Sequence, residues 1–518
     1  MGTGRRTWAG VLTVLVTGIL LAGCTGTTIT PQADGAKPVL PAGHQDAEHH
    51  DAAHHDAEHA AQSPPPSAQL ATAGYRHSGG VVASGGSKAP YNYAPSVLEL
   101  GGTYRMWWCS QLPGTPRPGD QILYATAPSA NGPFVAPNRT PGEEVFGNSP
   151  SGFDSLHTCD PSVIEVGGVY YLYYTGTAHS VGNNNSIGLA TSTDGVHWTR
   201  ANRGVAIVSQ SGDVRRPNGY GVGQPSALYL NGYFYLMFTD TSGAAATQDG
   251  SGQFVLRSPD PAFGRDVESL GQTGFMAVPG TADARTRSIA AATTSDWMWV
   301  DALRAFAIAT DGSAGTTITF WNADFTYQPY QPVVIGGAQR EGPGLVRTAD
   351  GHAVVSATNP CGQVPVDLVR ATGESAGPNG LTHFGVDVDG LHACQQRATA
   401  LTLLDGFAIP APDRTVDIVV GDKLVEVERR SVALTLAAGM LTTAPAAVAS
   451  LPVAAHLKAG AAAVTAPGKP LGITLDDGKL WAIGGPAVAK LNSSPVATIT
   501  DQEWNAYPRG TDLSDLRP

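Results

Sequence analysis

Cys159–Gly176 reads CDPSVIEVGGVYYLYYTG. It places a carboxylate before Pro-Ser-Val, then a Gly-Gly pair, then a run of aromatic residues. Gly167-Gly168 supplies the positive φ that a tight two-residue turn demands, and Val169 to Thr175 is β-branched and aromatic, so the stretch predicts two antiparallel strands. The same order of features recurs. Tyr93-Ala-Pro-Ser-Val97 precedes a Gly101-Gly102 turn and Thr103 to Cys109, and Gly223-Gln-Pro-Ser-Ala227 precedes Asn231-Gly232 and Tyr233 to Thr239. A third strand follows each copy: Gln121 to Ala127, Ser186 to Ser192, and Gly252 to Ser258. Weaker copies run from Ser295 through Arg304 to Thr310 and Trp321, and from Arg340 through Asp350-Gly351 to His352 and Thr358. Repeats of roughly 65 residues that shorten later, each a small antiparallel sheet, predict an all-β, five-bladed β-propeller. Its innermost strands line a shaft.

Outside the repeats the chain changes character. Met1 to Cys24 carries Arg5-Arg6, an apolar run and Leu21-Ala-Gly-Cys24. This is the layout of a secretory signal, too short for a membrane-spanning helix. The last four residues resemble a bacterial lipobox, which implies lipidation of Cys24 and an exported, lipid-anchored protein; a plain signal peptide is the competing reading. Residues 25–73 form a Pro-, Ala- and His-rich tether. His44 to His59 within it holds six of the 14 histidines, a composition that either binds metal weakly or serves as a solvated spacer. No other cofactor is expected.

The repeats are assigned to residues 74–404. The remainder, 405–518, reads as a small β-rich accessory region with hairpins at Gly421-Asp422 and Asp477-Gly478, and a strand from it is a candidate for closing the ring. The net charge of −12, with no basic cluster, excludes nucleic acid as a natural partner. Besides Cys24 there are Cys109, Cys159, Cys361 and Cys394. An even number in an exported chain implies disulfides. Chain order favours Cys109 with Cys159 and Cys361 with Cys394, although four cysteines allow three pairings.

The residues that begin the inner strands should converge at one end of the shaft. They are Ala94, Asp160, Gln224, Asp296 and Glu341. Paired carboxylates suit hydrolysis of a glycosidic bond, where one protonates the leaving oxygen and the other activates water or attacks. The Asp160-Pro-Ser-Val and Glu341-Gly-Pro motifs resemble those of the five-bladed glycoside hydrolases of family 43 and its relatives in families 32, 62, 68, 117 and 130. The resemblance covers about Tyr91 to Thr358. It implies furanosidase or xylosidase chemistry on a glycan, with Asp160 as base, Glu341 as acid and Asp296 as the tuning carboxylate. The order of these residues along the chain departs from the family pattern, in which the first blade carries the base and here holds Ala94. Gln224, His157, Trp108, Trp297 and Arg340 are candidate substrate contacts, the tryptophans by stacking on sugar faces or, in the commoner role, by packing between blades. A non-catalytic surface propeller that binds polysaccharide or protein is the competing reading of the whole.

Overall fold

Glycine sets the turns. Gly167 and Gly168 take φ of 61° and 78°, so His157–Val166 folds back on Val169–Thr177 with Val166 opposite Val169. The computed structural model describes residues 67–518 except 88, 113–118, 181, 373–379, 413–414, 515 and 517–518. The lipobox cysteine, Cys24, and the histidine tract lie outside the described residues. Equivalent hairpins join Asn92–Leu100 to Thr103–Ser110 and Val222–Leu230 to Tyr233–Asp240. Third strands at Gln121–Ala127, Ser186–Ser192 and Gln253–Ser258 extend them. Ser295–Val300, Ala305–Gly312, Gly315–Asn322 and Val333–Ile335 form another antiparallel sheet. The protein is thus mostly β, assembled from small antiparallel sheets.

The last repeat differs from the expected pairing. Glu341–Arg347 pairs along its length with Gln363–Ala371, whereas of residues 352–358 Ala353 alone bridges back, to Arg347, and Leu381–Asp389 follows. His352 is held elsewhere: its Nδ1 lies 2.8 Å from Asp301 Oδ2 and its Nε2 donates to the Tyr229 carbonyl at 3.0 Å. That anchor draws the loop across the neighbouring strands. The outer strand of this sheet is Ala71–His77, from the start of the described chain. Residues 71–73, expected outside the repeats, thus belong to a strand. This strand takes the place expected of residues 405–518, and among the described residues no strand of 405–518 pairs with these sheets. Arg76 fixes it in place, bonding Asp367 at 2.8 Å and Asp387 at 2.6 Å.

The first strands of the repeats pack on one another in chain order, from Asn92–Leu100 through His157–Val166, Val222–Leu230 and Ser295–Val300 to Glu341–Arg347. The last pairs in parallel with the first, Val346 opposite Val97. A hydrogen bond repeats between neighbours. Ser96 Oγ accepts from the Val163 amide at 3.0 Å, Ser162 Oγ from Ala227 at 2.9 Å and Ser226 Oγ from Trp297 at 3.3 Å. Asp296 Oδ2 accepts from Leu345 at 2.7 Å. The serine of Pro-Ser-Val is thus a brace between sheets, satisfying an inner-strand amide that no ladder reaches. Arg347, fully buried, bonds the Ala227 and Trp297 carbonyls and approaches Asp296 Oδ1 at 3.4 Å. The apolar core lies between successive sheets.

Residues 405–518 contain the two expected hairpins, Val416–Val420 with Lys423–Val427 and Gly472–Thr474 with Leu480–Ala482. Between them the Ala-rich stretch, whose pattern is mixed in the sequence, forms the helices Arg430–Leu436 and Ala446–Ala449 and the strands Val453–Leu457 and Ala463–Thr465. One apolar cluster unites the two small sheets. Among the described residues no helix is long and apolar enough to cross a membrane.

Candidate active site

Asp160 stands at a bulge. The strand register shifts between Cys159 and Ser162, and Asp160 takes φ of 47°. Ala94, Gln224 and Gly342 sit at the same bulge in their repeats, with φ of 47°, 54° and 62°. A left-handed bulge turns the side chain out of the ladder and towards the end of the ring. Because Ala94 shares the conformation, the strain belongs to the architecture and is no mark of chemistry by itself. These residues, their prolines, Thr294, Ser295 and Asp296 enclose a narrow cavity of about 20 Å³.

Two expected positions move in register. Glu341 precedes the bulge, opposite Ala371, and so corresponds to Tyr93, Cys159 and Gly223 rather than to Asp160. Gly342 occupies the left-handed position, which glycine adopts without cost. Asp296 precedes Trp297 as Ser162 precedes Val163, so it is the brace residue of its sheet. It accepts from Ser226 Oγ at 2.5 Å and from the Leu345 amide, and it faces Arg347. This bonding gives Asp296 a bracing role between neighbouring strands, while it also lines the cavity that holds Asp160.

Asp160 and Glu341 lie near enough for the charge of Glu341 to bear on Asp160. Asp160 is 5 % exposed. Burial, reinforced by the charges of Glu341 and Asp120, pushes its carboxyl up to about 7, against the hydrogen bonds of Thr175 and Tyr220, which favour the ionised form. Tyr220 donates to Asp160 Oδ2 at 3.3 Å, while Oδ1 is buried without a partner. Burial also raises Glu341, Arg340 opposing and Asp120 adding to the shift. Tyr93 lies within reach of both carboxyls; burial foremost, then their charge, holds its phenol well above the ordinary range. Its hydroxyl is 3.1 Å from the Cys159 sulfur.

Asp120, at the entry to Gln121–Ala127, is a site residue that the repeat pattern does not reveal. Its Oδ2 lies 2.9 Å from His157 Nδ1, and its Oδ1 accepts from the Tyr91 hydroxyl. Gly119 permits the approach: at φ 105° it passes so close to the Leu156 carbonyl that any Cβ there would overlap it. The signal was Gly-Asp leading into a strand, but the partner lies 37 residues away and only packing joins them. Gln224 lines the same cavity, and its amide donates to Thr175 Oγ1 at 2.9 Å. Arg340 is exposed beside Glu341.

Trp108 and Trp297 are 0 % exposed. Trp108 Nε1 donates to Asn92 Oδ1 at 2.9 Å and Trp297 Nε1 to the Ser226 carbonyl at 2.9 Å. Their faces meet protein on both sides, so they pack the core and offer nothing to a sugar. The cysteines pair as Cys109–Cys159 and Cys361–Cys394. Among the described residues, the group spaced for a metal ion is Cys109, Asp120 and Cys159; both sulfurs are consumed in a disulfide, which leaves one carboxylate and no thiolate. A cavity of about 700 Å³ lies beside Cys361–Cys394, with His392, Gln395 and Arg397 in its wall and neither Asp160 nor Glu341 among its lining.

No family model matches the chain, and no curated protein does. Solved structures do resemble it. A family 117 glycoside hydrolase of the marine bacterium Zobellia galactanivorans is 14 % identical, with a TM-score of 0.41 over 62 % of this chain and 91 % of that one. An α-L-arabinofuranosidase from Podospora anserina, solved with cellotriose, is 12 % identical, with a TM-score of 0.36 over 61 % and 98 %. The catalytic domain of a Coprinopsis cinerea family 62 α-L-arabinofuranosidase is 11 % identical, with a TM-score of 0.38 over 62 % and 98 %. These structural neighbours are glycoside hydrolases.

Proposed function

We propose that this chain is a five-bladed β-propeller glycoside hydrolase, exported and lipid-anchored through Cys24, that acts on a glycan bearing arabinose- or xylose-type units. The observation that carries the reading is the buried Asp160 at one end of the ring, its carboxyl pushed up to about 7 by burial and then by the charge of Glu341. A carboxyl pushed up by burial and by a neighbouring carboxyl keeps its proton near neutral pH. The more deeply buried Asp160 retains it and acts as the acid, while Glu341, beside Arg340, is the ionised partner. This reverses the roles that the motif resemblance implies. With Asp160 protonated, the carboxylates of Asp120 and Glu341 still make the end of the ring acidic, which favours an uncharged sugar over a uronic acid or a sugar phosphate.

Aryl glycosides test the assignment. Asp160→Asn should lose about 10²–10⁴-fold on 4-nitrophenyl α-L-arabinofuranoside or β-D-xyloside and keep most of its rate on a dinitrophenyl substrate, whose leaving group needs no proton. Glu341→Gln should be slow on both and respond to added azide. Unchanged rates in both variants would overturn the mechanism. Glycan binding without release of reducing ends would favour a binding propeller, a reading supported by the narrowness of the cavity.

A further inference from the structure

His157 has one ring nitrogen held and the other unused. Nδ1 lies 2.9 Å from Asp120 Oδ2, and Nε2 is buried with no partner. The Asp120 amide also approaches Nδ1, at 3.3 Å, but Nδ1 cannot donate and accept along both contacts. The shorter contact, to a carboxylate, is charge-assisted and decides the tautomer. Nδ1 carries the hydrogen and Nε2 keeps its lone pair. Asp120 is fixed in turn by the Tyr91 hydroxyl, by the close approach of Gly119 to Leu156, and by its own carbonyl, which accepts from the Thr158 amide at 3.2 Å. It is also near enough to Asp160 and Glu341 for its charge to raise both. Two unsatisfied atoms, His157 Nε2 and Asp160 Oδ1, therefore occupy one strand at the same end of the ring. A buried acceptor left unpaired costs free energy that a ligand hydroxyl would recover.

We propose that His157, oriented by Asp120, is a substrate-binding residue whose Nε2 accepts a hydrogen bond from one sugar hydroxyl, and that Asp120 is its positioning residue. This rests on the reading of the site as one for an uncharged saccharide. The pair makes specificity depend on a single hydroxyl, because a sugar lacking it leaves Nε2 unpaired.

Monodeoxy analogues of 4-nitrophenyl α-L-arabinofuranoside and β-D-xyloside test this in the full chain. For wild type, one deoxy position should lower kcat/KM by about tenfold or more, beyond the loss at the other positions. In His157→Phe that extra loss should vanish, with the parent sugar reduced to the level of the deoxy analogue. Asp120→Asn should weaken the discrimination while keeping the fold. ¹⁵N-histidine spectra of wild type should show the His157 resonance as the Nδ1–H tautomer, identified by its loss in His157→Gln. Equal deoxy penalties in wild type and His157→Phe, or a hydrogen on Nε2 in wild type, whether as the Nε2–H tautomer or as the imidazolium, would overturn the proposal. Should wild type cleave no aryl glycoside, the hydrolase reading fails, and the same comparison by calorimetry with arabinose, xylose and their deoxy forms decides the binding role. Absence of any binding, or binding indifferent to His157→Phe, would overturn it.

Discussion

At the scale of a residue, Asp160 concentrates opposed demands. Its backbone is left-handed, its carboxyl is buried, and one oxygen has no partner. An acid whose folded value lies near 7 against about 3.9 in an unfolded chain holds its proton more tightly when folded. Stability should therefore fall as pH rises from about 4 to about 7 and then level off. Asp160→Asn removes the ionisable group and should flatten that slope. It should leave the variant more stable than wild type at pH 8 by on the order of 2 kcal/mol, as read from denaturant midpoints across pH. A wild-type stability that climbs over this range would show that Asp160 is not held protonated. Asp160 was conspicuous in the sequence because it interrupts a pattern that otherwise holds Ala94 and Gln224. Glu341 was legible as an acid at the correct end, but its register was not, since the left-handed position falls on Gly342 and only the bulge reveals the offset.

At the scale of an element, the braces between first strands explain why Asp296 resembled a site residue. A carboxylate at the mouth of a strand reads the same in sequence whether it faces substrate or an arginine 51 residues on. Here Arg347 and the Leu345 amide claim it. Asp296→Asn should consequently cost stability, about 3–5 kcal/mol for stranding a buried arginine. Activity per folded molecule on aryl glycosides should remain within about threefold. A thermal midpoint near wild type combined with lost turnover would return Asp296 to the chemistry. The hairpins were legible because Gly167-Gly168 and Asn231-Gly232 can adopt the turn and few other pairs can. The orientation of Trp108 and Trp297 was not, because alternation along a strand does not say which face another sheet will cover. Residues 352–358 failed as a strand for a similar reason, since the pull of Asp301 on His352 is tertiary.

For the whole molecule, the repeat fixed the class of fold, whereas the way it is completed depended on long-range pairing. The sequence offered the 405–518 region as a source of the closing strand, but Ala71–His77 takes that place through Arg76. Removal of residues up to His77 should expose the edge of Leu381–Asp389 and leave Asp367 and Asp387 without their guanidinium. The truncated chain should lose several kcal/mol and associate through that edge, visible as a concentration-dependent shift in sedimentation. A monomer with a wild-type thermal midpoint would show the strand to be dispensable.

That closing strand also sets a schedule. Arg76 is made early in synthesis, and its partners Asp367 and Asp387 follow 291 and 311 residues later. A chain threaded outward from its N-terminus would deliver the last seam of the ring first and have nothing to join it to. Loop closure over such a span is slow and contributes no stability until both ends meet. Annealing of this seam should therefore come late, after residues 381–389 have emerged, and a pulse-labelling experiment should find amide protection in Ala71–His77 no earlier than in Leu381–Asp389.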